Sequence, residues 1–272
     1  MTEPGYFYTR ERGAQGEARF FASPLTRGPW SIDHQHAGPP TALMTRAIEG
    51  LRVREDDPPF QLARISVELL RPIPLATPLE VELEVLSGGR KVQRIAAALL
   101  AGDEQLAVAL AVRMRVEEIP VEVAPLPPLS EAPRSPAQSR PSEFEIFQHE
   151  VGYHTAMEMR IAAGEYGRGS LTAWLRPRVP LIADEATSPL QRLMICADAG
   201  HGVGAALDTA RWSFINPELS VYLHRLPVGE WLCMDARTWT GELGMGLCRT
   251  RLLDQSGELG VVMQSQLIQR AR

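Results

Sequence analysis

One hydrophobic stripe occurs twice along the chain. From Gly38 onward, Leu43, Ala47, Ile48 and Leu51 recur at helical spacing behind two prolines suited to an opening turn. In SPLQRLMICADAG, Ser188 can cap, Pro189 can take the first helical position, and Leu190, Leu193, Met194 and Ala197 form the stripe. Laid together at an offset of 150, LMTRAIEG from Leu43 and LMICADAG from Leu193 share Leu, Met, Ala and Gly at matching places, and Asp198 stands where the first copy has Ile48.

Strand-type patterning surrounds both helices. Ala18 to Leu25 and Gly169 to Arg178 precede them. RISVELLRPIP from Arg64 and ELSVYLHRLP from Glu218 follow, with Ser66 matching Ser220 and Arg71 matching Arg225 at an offset of 154. Each half then runs on as long strands punctuated by turns at Gly88–Gly89, Gly102–Asp103, Gly241–Glu242 and Ser256–Gly257. The intervals are too short for helical crossovers, so the sheets should be antiparallel. A long helix, a preceding strand and a following meander, found twice, predict an α+β double hotdog: two tandem domains, each a helix wrapped by an antiparallel sheet. Side-by-side association would remove the unpaired edge that a lone hotdog exposes.

Composition changes this picture in one place. The stretch between Pro120 and Pro141 holds seven prolines and cannot sustain a helix or a central strand. The expected organisation is an N-terminal domain over 1–119, a linker over 120–143 and a C-terminal domain over 144–272. With 272 residues and 44% hydrophobic content the chain is long enough for one large core or two small ones. It lacks both a run of about 18 apolar residues and a secretory signal pattern at its start, so a cytoplasmic protein is expected. Exposed strand edges suggest a homodimer or larger homo-oligomer.

Charge and cysteine usage exclude several functions. A net charge of −5 disfavours nucleic-acid binding, although Arg90, Lys91 and Arg94, or Arg211, Arg225 and Arg237, could meet the phosphates of a ligand. Cys196, Cys233 and Cys248 lack CxxC spacing and read as reduced thiols. His34 and His36 alternate as two ligands would, but no third is identifiable, so neither a metal nor a redox cofactor is expected. Cys196 and His201, five residues apart, fall on different sides of a regular helix. No GxSxG is present, and GELGMG from Gly241 lies between strands rather than ahead of a helix.

Candidate chemistry comes from the comparison of copies. Asp198 replaces Ile48, Asn216 replaces Leu62, and Gln264 replaces Ala111. All three switches run from apolar to polar in the second copy. A buried carboxylate must be partnered, and two amides could provide the partners while helping to hold one attacking water.

With these segments in view, the sequence resembles the TesB-like acyl-CoA thioesterase II family over nearly its whole length outside the linker. WSIDHQHAGPPTALMTRAIE from Trp30, CADAG around Asp198, LSVYLHRLPVGEWLCMDART from Leu219 and VVMQSQLIQR at the end carry the likeness. It implies hydrolysis of a fatty acyl-CoA to free acid and coenzyme A by a water that an aspartate, a hydroxyl residue and a glutamine orient. These roles fall on Asp198, Asn216 and Gln264, with Asn216 departing from the hydroxyl. The resemblance further places His36 beside the thioester. Gly38 is a candidate to offer its N–H to the carbonyl oxygen, and Met194 and Val203 to line an acyl tunnel. Asp198 and His201, three apart, keep an enoyl-thioester hydratase open. A non-catalytic acyl-thioester binding protein is the third reading.

Overall fold

The computed structural model describes residues 5–13, 16–118 and 133–271. The first half contains β1 (Tyr8–Arg12), β2 (Ala18–Ala22), α1 (Gly38–Gly50), β3 (Phe60–Leu69), β4 (Glu80–Gly88), β5 (Val92–Ala101) and β6 (Glu104–Arg115). The second contains β7 (Arg140–Ser142), β8 (Met157–Gly164), β9 (Ser170–Pro177), α2 (Pro189–Ala197), α3 (Gly200–Val203), β10 (Trp212–Ile215), β11 (Glu218–Leu223), β12 (Leu232–Thr240), β13 (Met245–Asp254) and β14 (Gly257–Arg270).

The strands form one twelve-stranded sheet in the order β4-β5-β6-β3-β11-β14-β13-β12-β9-β8-β7, with β10 also paired to β14. Every pairing between named strands is antiparallel. The halves meet where β3 lies against β11, and the register sets Ser66 opposite Ser220. These two serines are the repeat's own counterparts, so a local two-fold relation passes between them and the joint is self-complementary. Ser220 Oγ donates to Ser66 Oγ at 3.1 Å. This is the double hotdog, closed at its central edge by its own duplicate.

The register also confirms the alignment of copies. Leu110 of β6 faces Ser66, and Met263 of β14 faces Ser220, which sets Gln264 in the place of Ala111. Arg113 and Gln266 correspond in the same way, two residues further along each strand.

Inside the sheet the two helices pack on each other, and Leu43, Met44, Ile48, Leu193, Met194 and Ile195 are all buried. Burial of such side chains stabilises by roughly 1.5–3 kcal/mol each. The second helix starts as its residues dictate: Ser188 Oγ accepts from the Gln191 N–H at 3.1 Å, and Gln191 Oε1 accepts from the Ser188 N–H at 3.3 Å. Glu49, from the end of α1, accepts from Ser188 Oγ and Gln191 Nε2 and so ties that cap to the other half.

Two expectations change. Ala18–Ala22 does not enter the main sheet as its supposed counterpart β9 does; it pairs with β1 and touches the sheet through a bridge from Phe20 to Leu79. Its hairpin is instead held to the other half, because the Tyr8 N–H bonds to the Leu181 carbonyl and the Ala183 N–H to that of Tyr8. Of the proline-rich linker, residues 120–132 lie outside the described residues. Its last residues, Arg140–Ser142, form an edge strand on β8, a place where proline's missing donor costs little. No helix among the described residues is long and apolar enough to cross a membrane.

Ser188→Ala should lower stability by about 1 kcal/mol, read from the midpoint of chemical denaturation, because it strands one helix-start N–H and removes one of two donors to Glu49.

Candidate active site

The site grows from a break in the second helix. In the first half α1 continues through Gly50, and Arg113 Nη1 donates to the carbonyls of Ile48 and Leu51 at 2.6 and 2.9 Å. In the second half α2 stops at Ala197, Asp198 is its cap, and α3 starts at Gly200. Such a break strands backbone groups, and Gln264 takes up two of them. Its Nε2 donates to the Asp198 carbonyl at 3.1 Å, and its Oε1 accepts from the His201 N–H at 3.1 Å.

The break turns the Asp198 side chain into the protein at 2% exposure. Its Oδ1 accepts from Asn216 Nδ2 at 2.7 Å and from Gln264 Nε2 at a long 3.4 Å. Its Oδ2 lies 3.2 Å from His36 Nδ1. Asn216 reaches it from the gap between β10 and β11, where Pro217 brings no N–H to the ladder. The first copy bends at the corresponding place with a bulge between Leu62 and Arg64. Asn216 Nδ2 also faces the Glu218 carbonyl at 3.5 Å; both neighbours are acceptors, which orients the amide. The structure thus brings Asp198, Asn216 and Gln264 together.

His36 closes the group from the loop ahead of α1. Its ring stacks on Tyr153 with centroids 3.8 Å apart and planes at 3°. Burial, more than the nearby Asp198 can offset, pushes its pKa down to about 4, with His201 adding to the depression. The ring is therefore neutral at pH 7. Its Nδ1 also accepts from the Gly38 N–H at 3.1 Å. One ring nitrogen can accept from Gly38 or present a proton to Asp198, so the proton on His36 and the charge on Asp198 are linked.

Two site expectations fall elsewhere. The Gly38 N–H is turned to His36, and its lack of a side chain serves packing, since a Cβ there would run into the Ile195 carbonyl oxygen of α2. Met194 is fully buried in the core and is not on the cavity wall, as is Val203. Burial pushes the Cys196 thiol up to about 12, which removes it as a nucleophile at neutral pH.

A cavity of about 490 Å³ opens onto Asp198 and draws its wall from both halves: His36, Ala37, Leu70 and Arg71 from one, Asp198, His201 and Asn216 from the other. Gln264 is fully buried behind Asp198 and does not reach it. A larger depression of about 770 Å³ lies around Arg134, Thr172 and Asp235 and contains none of these groups. The residues that composition suggested for phosphates do not line the 490 Å³ cavity. Arg225 is spent on Asp254 in a two-pronged pair at 2.6 and 2.7 Å, and Arg90 reaches Asp56 at 3.2 Å. Arg71 does line it. The repeat contained the signal: Asp254 corresponds to Ala101, so the counterpart of Arg225 lacks that carboxylate and meets only the exposed Glu104 at 2.8 Å through Nε.

The acyl-CoA thioesterase N-terminal domain profile matches residues 26–114, and the C-terminal domain profile matches residues 124–268. The chain belongs to the acyl-CoA thioesterase family. No curated protein matches this sequence. Among solved structures, a candidate thioesterase from Novosphingobium aromaticivorans superposes with a TM-score of 0.72 at 20% identity, over 95% of this chain and 98% of that one. A hot dog protein of unknown function from Alicyclobacillus acidocaldarius gives 0.68 at 16%, over 96% of each chain. The acyl-CoA thioesterase II TesB2 of Mycobacterium marinum gives 0.66 at 17%, again over 96% of each. These likenesses show a shared fold, and with the family they make this acyl-CoA thioesterase family member a thioester hydrolase.

The depressed pKa of His36 has a consequence for stability. The unfolded ring binds a proton near its usual 6.5, the folded one only near 4, so stability is complete above pH 6.5 and declines as pH falls toward 4. The loss should approach about 3 kcal/mol. Denaturation midpoints at pH 7.5 and 4.5 should differ clearly in the natural protein and less in His36→Asn.

Proposed function

We propose that the chain hydrolyses acyl-CoA to free acid and coenzyme A, with a water activated at Asp198 and no metal. The observation that carries the reading is a buried carboxylate, held at Oδ1 by the Asn216 N–H and faced at Oδ2 by His36, at the wall of a cavity shared by the two halves. The water oxygen attacks the thioester carbon while one of its protons passes to Asp198. The tetrahedral intermediate then expels the thiolate, which takes that proton back as its C–S bond breaks. A thiol with a pKa of about 8.5 leaves without strong acid assistance.

Asn216 and Gln264 act on the carboxylate in this account. Gln264 has both ends of its amide occupied and is out of reach of the cavity, so it positions Asp198 rather than the water. At the start of α1, Pro39 and Pro40 carry no N–H and that of Gly38 is engaged, which leaves the Ala37 N–H on the cavity wall to receive the carbonyl oxygen. Arg71, at the same cavity, is suited to the phosphates of the carrier, because its terminal nitrogens are free of the pairing that immobilises Arg225. Hydration of an enoyl thioester is a second reading, since His201 joins Asp198 on the cavity wall.

Asp198→Asn should fold normally and lose thiol release from acyl-CoA by about 10²–10⁴-fold. Loss of crotonyl-CoA absorbance without thiol release would instead identify a hydratase, and binding without any turnover a carrier. Arg71→Gln should raise KM for acyl-CoA several-fold at unchanged kcat. It should leave an N-acetylcysteamine thioester, which has no phosphate, unaffected.

A further inference from the structure

His201 is a titratable group on the cavity wall whose Nε2 is unaccounted for among the described residues. It lies in α3 at 6% exposure, on the cavity wall with Asp198 and Asn216. Its ring is held on every other side. The backbone N–H bonds to Gln264 Oε1, Phe214 meets the ring edge-on at 6.2 Å and 83°, and Nδ1 sits 2.8 Å from the Asp198 carbonyl oxygen. A carbonyl oxygen can only accept, so Nδ1 carries the proton and Nε2 of the neutral ring is a bare acceptor. Gln264 Nε2, at 3.2 Å from Nδ1, directs its hydrogens to Asp198 instead. Among the described residues Nε2 meets no partner.

A water that attacks through its oxygen lone pair has two O–H bonds to place. Asp198 takes one. The second needs another acceptor, and Gln264 has none to offer, because its oxygen is bound to the His201 N–H. Two acceptors remain on the wall, the Asn216 side-chain oxygen and His201 Nε2, and they differ in one testable respect: only the imidazole nitrogen becomes a donor on protonation.

We propose that His201 is a catalytic residue whose Nε2 accepts a hydrogen bond from the attacking water while Asp198 removes that water's other proton. The inference rests on the thioester-hydrolase reading above. The O–H bond directed at His201 is not broken; it remains on the acid product, and His201 ends the cycle neutral. A protonated ring would donate from Nε2 rather than accept, and the water would lose its orientation. The titratable groups facing the ring are Asp198 on its own segment, His36 across the cavity and, behind Thr250 on β13, Cys248. His36 is held near 4, and burial raises the Cys248 thiol, so neither changes its charge near neutral pH.

The test is acyl-CoA hydrolysis from pH 5 to 9 by the natural enzyme and by His201→Gln and His201→Ala, with folding checked by thermal melts. We expect kcat to fall at least tenfold in both variants with KM little changed. Added imidazole should restore part of the His201→Ala rate. A folded His201→Gln variant that keeps the natural kcat and KM overturns the inference. Turnover that ignores imidazole in a folded His201→Ala counts against it as well. If the natural enzyme releases no thiol from any acyl-CoA, the hydrolase reading falls and this inference falls with it.

Discussion

A buried carboxylate is the constraint around which this protein is arranged. Removing Asp198 from water costs several kcal/mol unless donors surround it. The second half supplies two, Asn216 from a strand gap and Gln264 from β14, and His36 of the first half faces the other oxygen. The helix break follows from the same requirement. Where α1 runs on to Gly50, the Ile48 carbonyl is covered by Arg113; where α2 stops at Ala197, the Asp198 carbonyl is met by Gln264 and His201 instead.

Duplication made the polar site affordable. The first half keeps Ile48, Leu62 and Ala111 as ordinary buried residues, and its Arg113 finishes the helix by covering the last carbonyls. The second half gives that continuity up. What it lacks in helix length it regains from its neighbour, because the β3–β11 joint and the helix pair place the two cores in one body. The cavity wall then mixes residues of both halves, so neither copy alone could form it.

The architecture was legible because it rests on local rules applied twice. Proline-led helix starts, period-two strands and glycine turns announce themselves over short windows, and the repeat cross-checks them: Ser188 caps α2 and Ser66 faces Ser220. The three polar switches were legible for the same reason, as departures from an internal reference. Ala18–Ala22 misled because a short strand pattern does not say which strand it will pair with. Gly38 and Met194 misled because a residue type near a site does not disclose its direction; one N–H turned inward to His36, and one side chain turned to the core.

By itself the sequence determined that there are two copies, which elements each contains, and which copy turned polar at three matched positions, since periodicity and substitution are properties of the chain. Only the tertiary structure decided what each polar group does. Gln264 proved to hold a helix end and a carboxylate, Arg225 to be consumed by Asp254 while Arg71 stays on the cavity, and His201 to keep one nitrogen bare. These are matters of hydrogen-bond direction over about 3 Å between segments some 60 or more residues apart, for His201 with Gln264 and Gln264 with Asp198 alike. Such directions depend on how the two halves meet, and no local pattern in the chain encodes that.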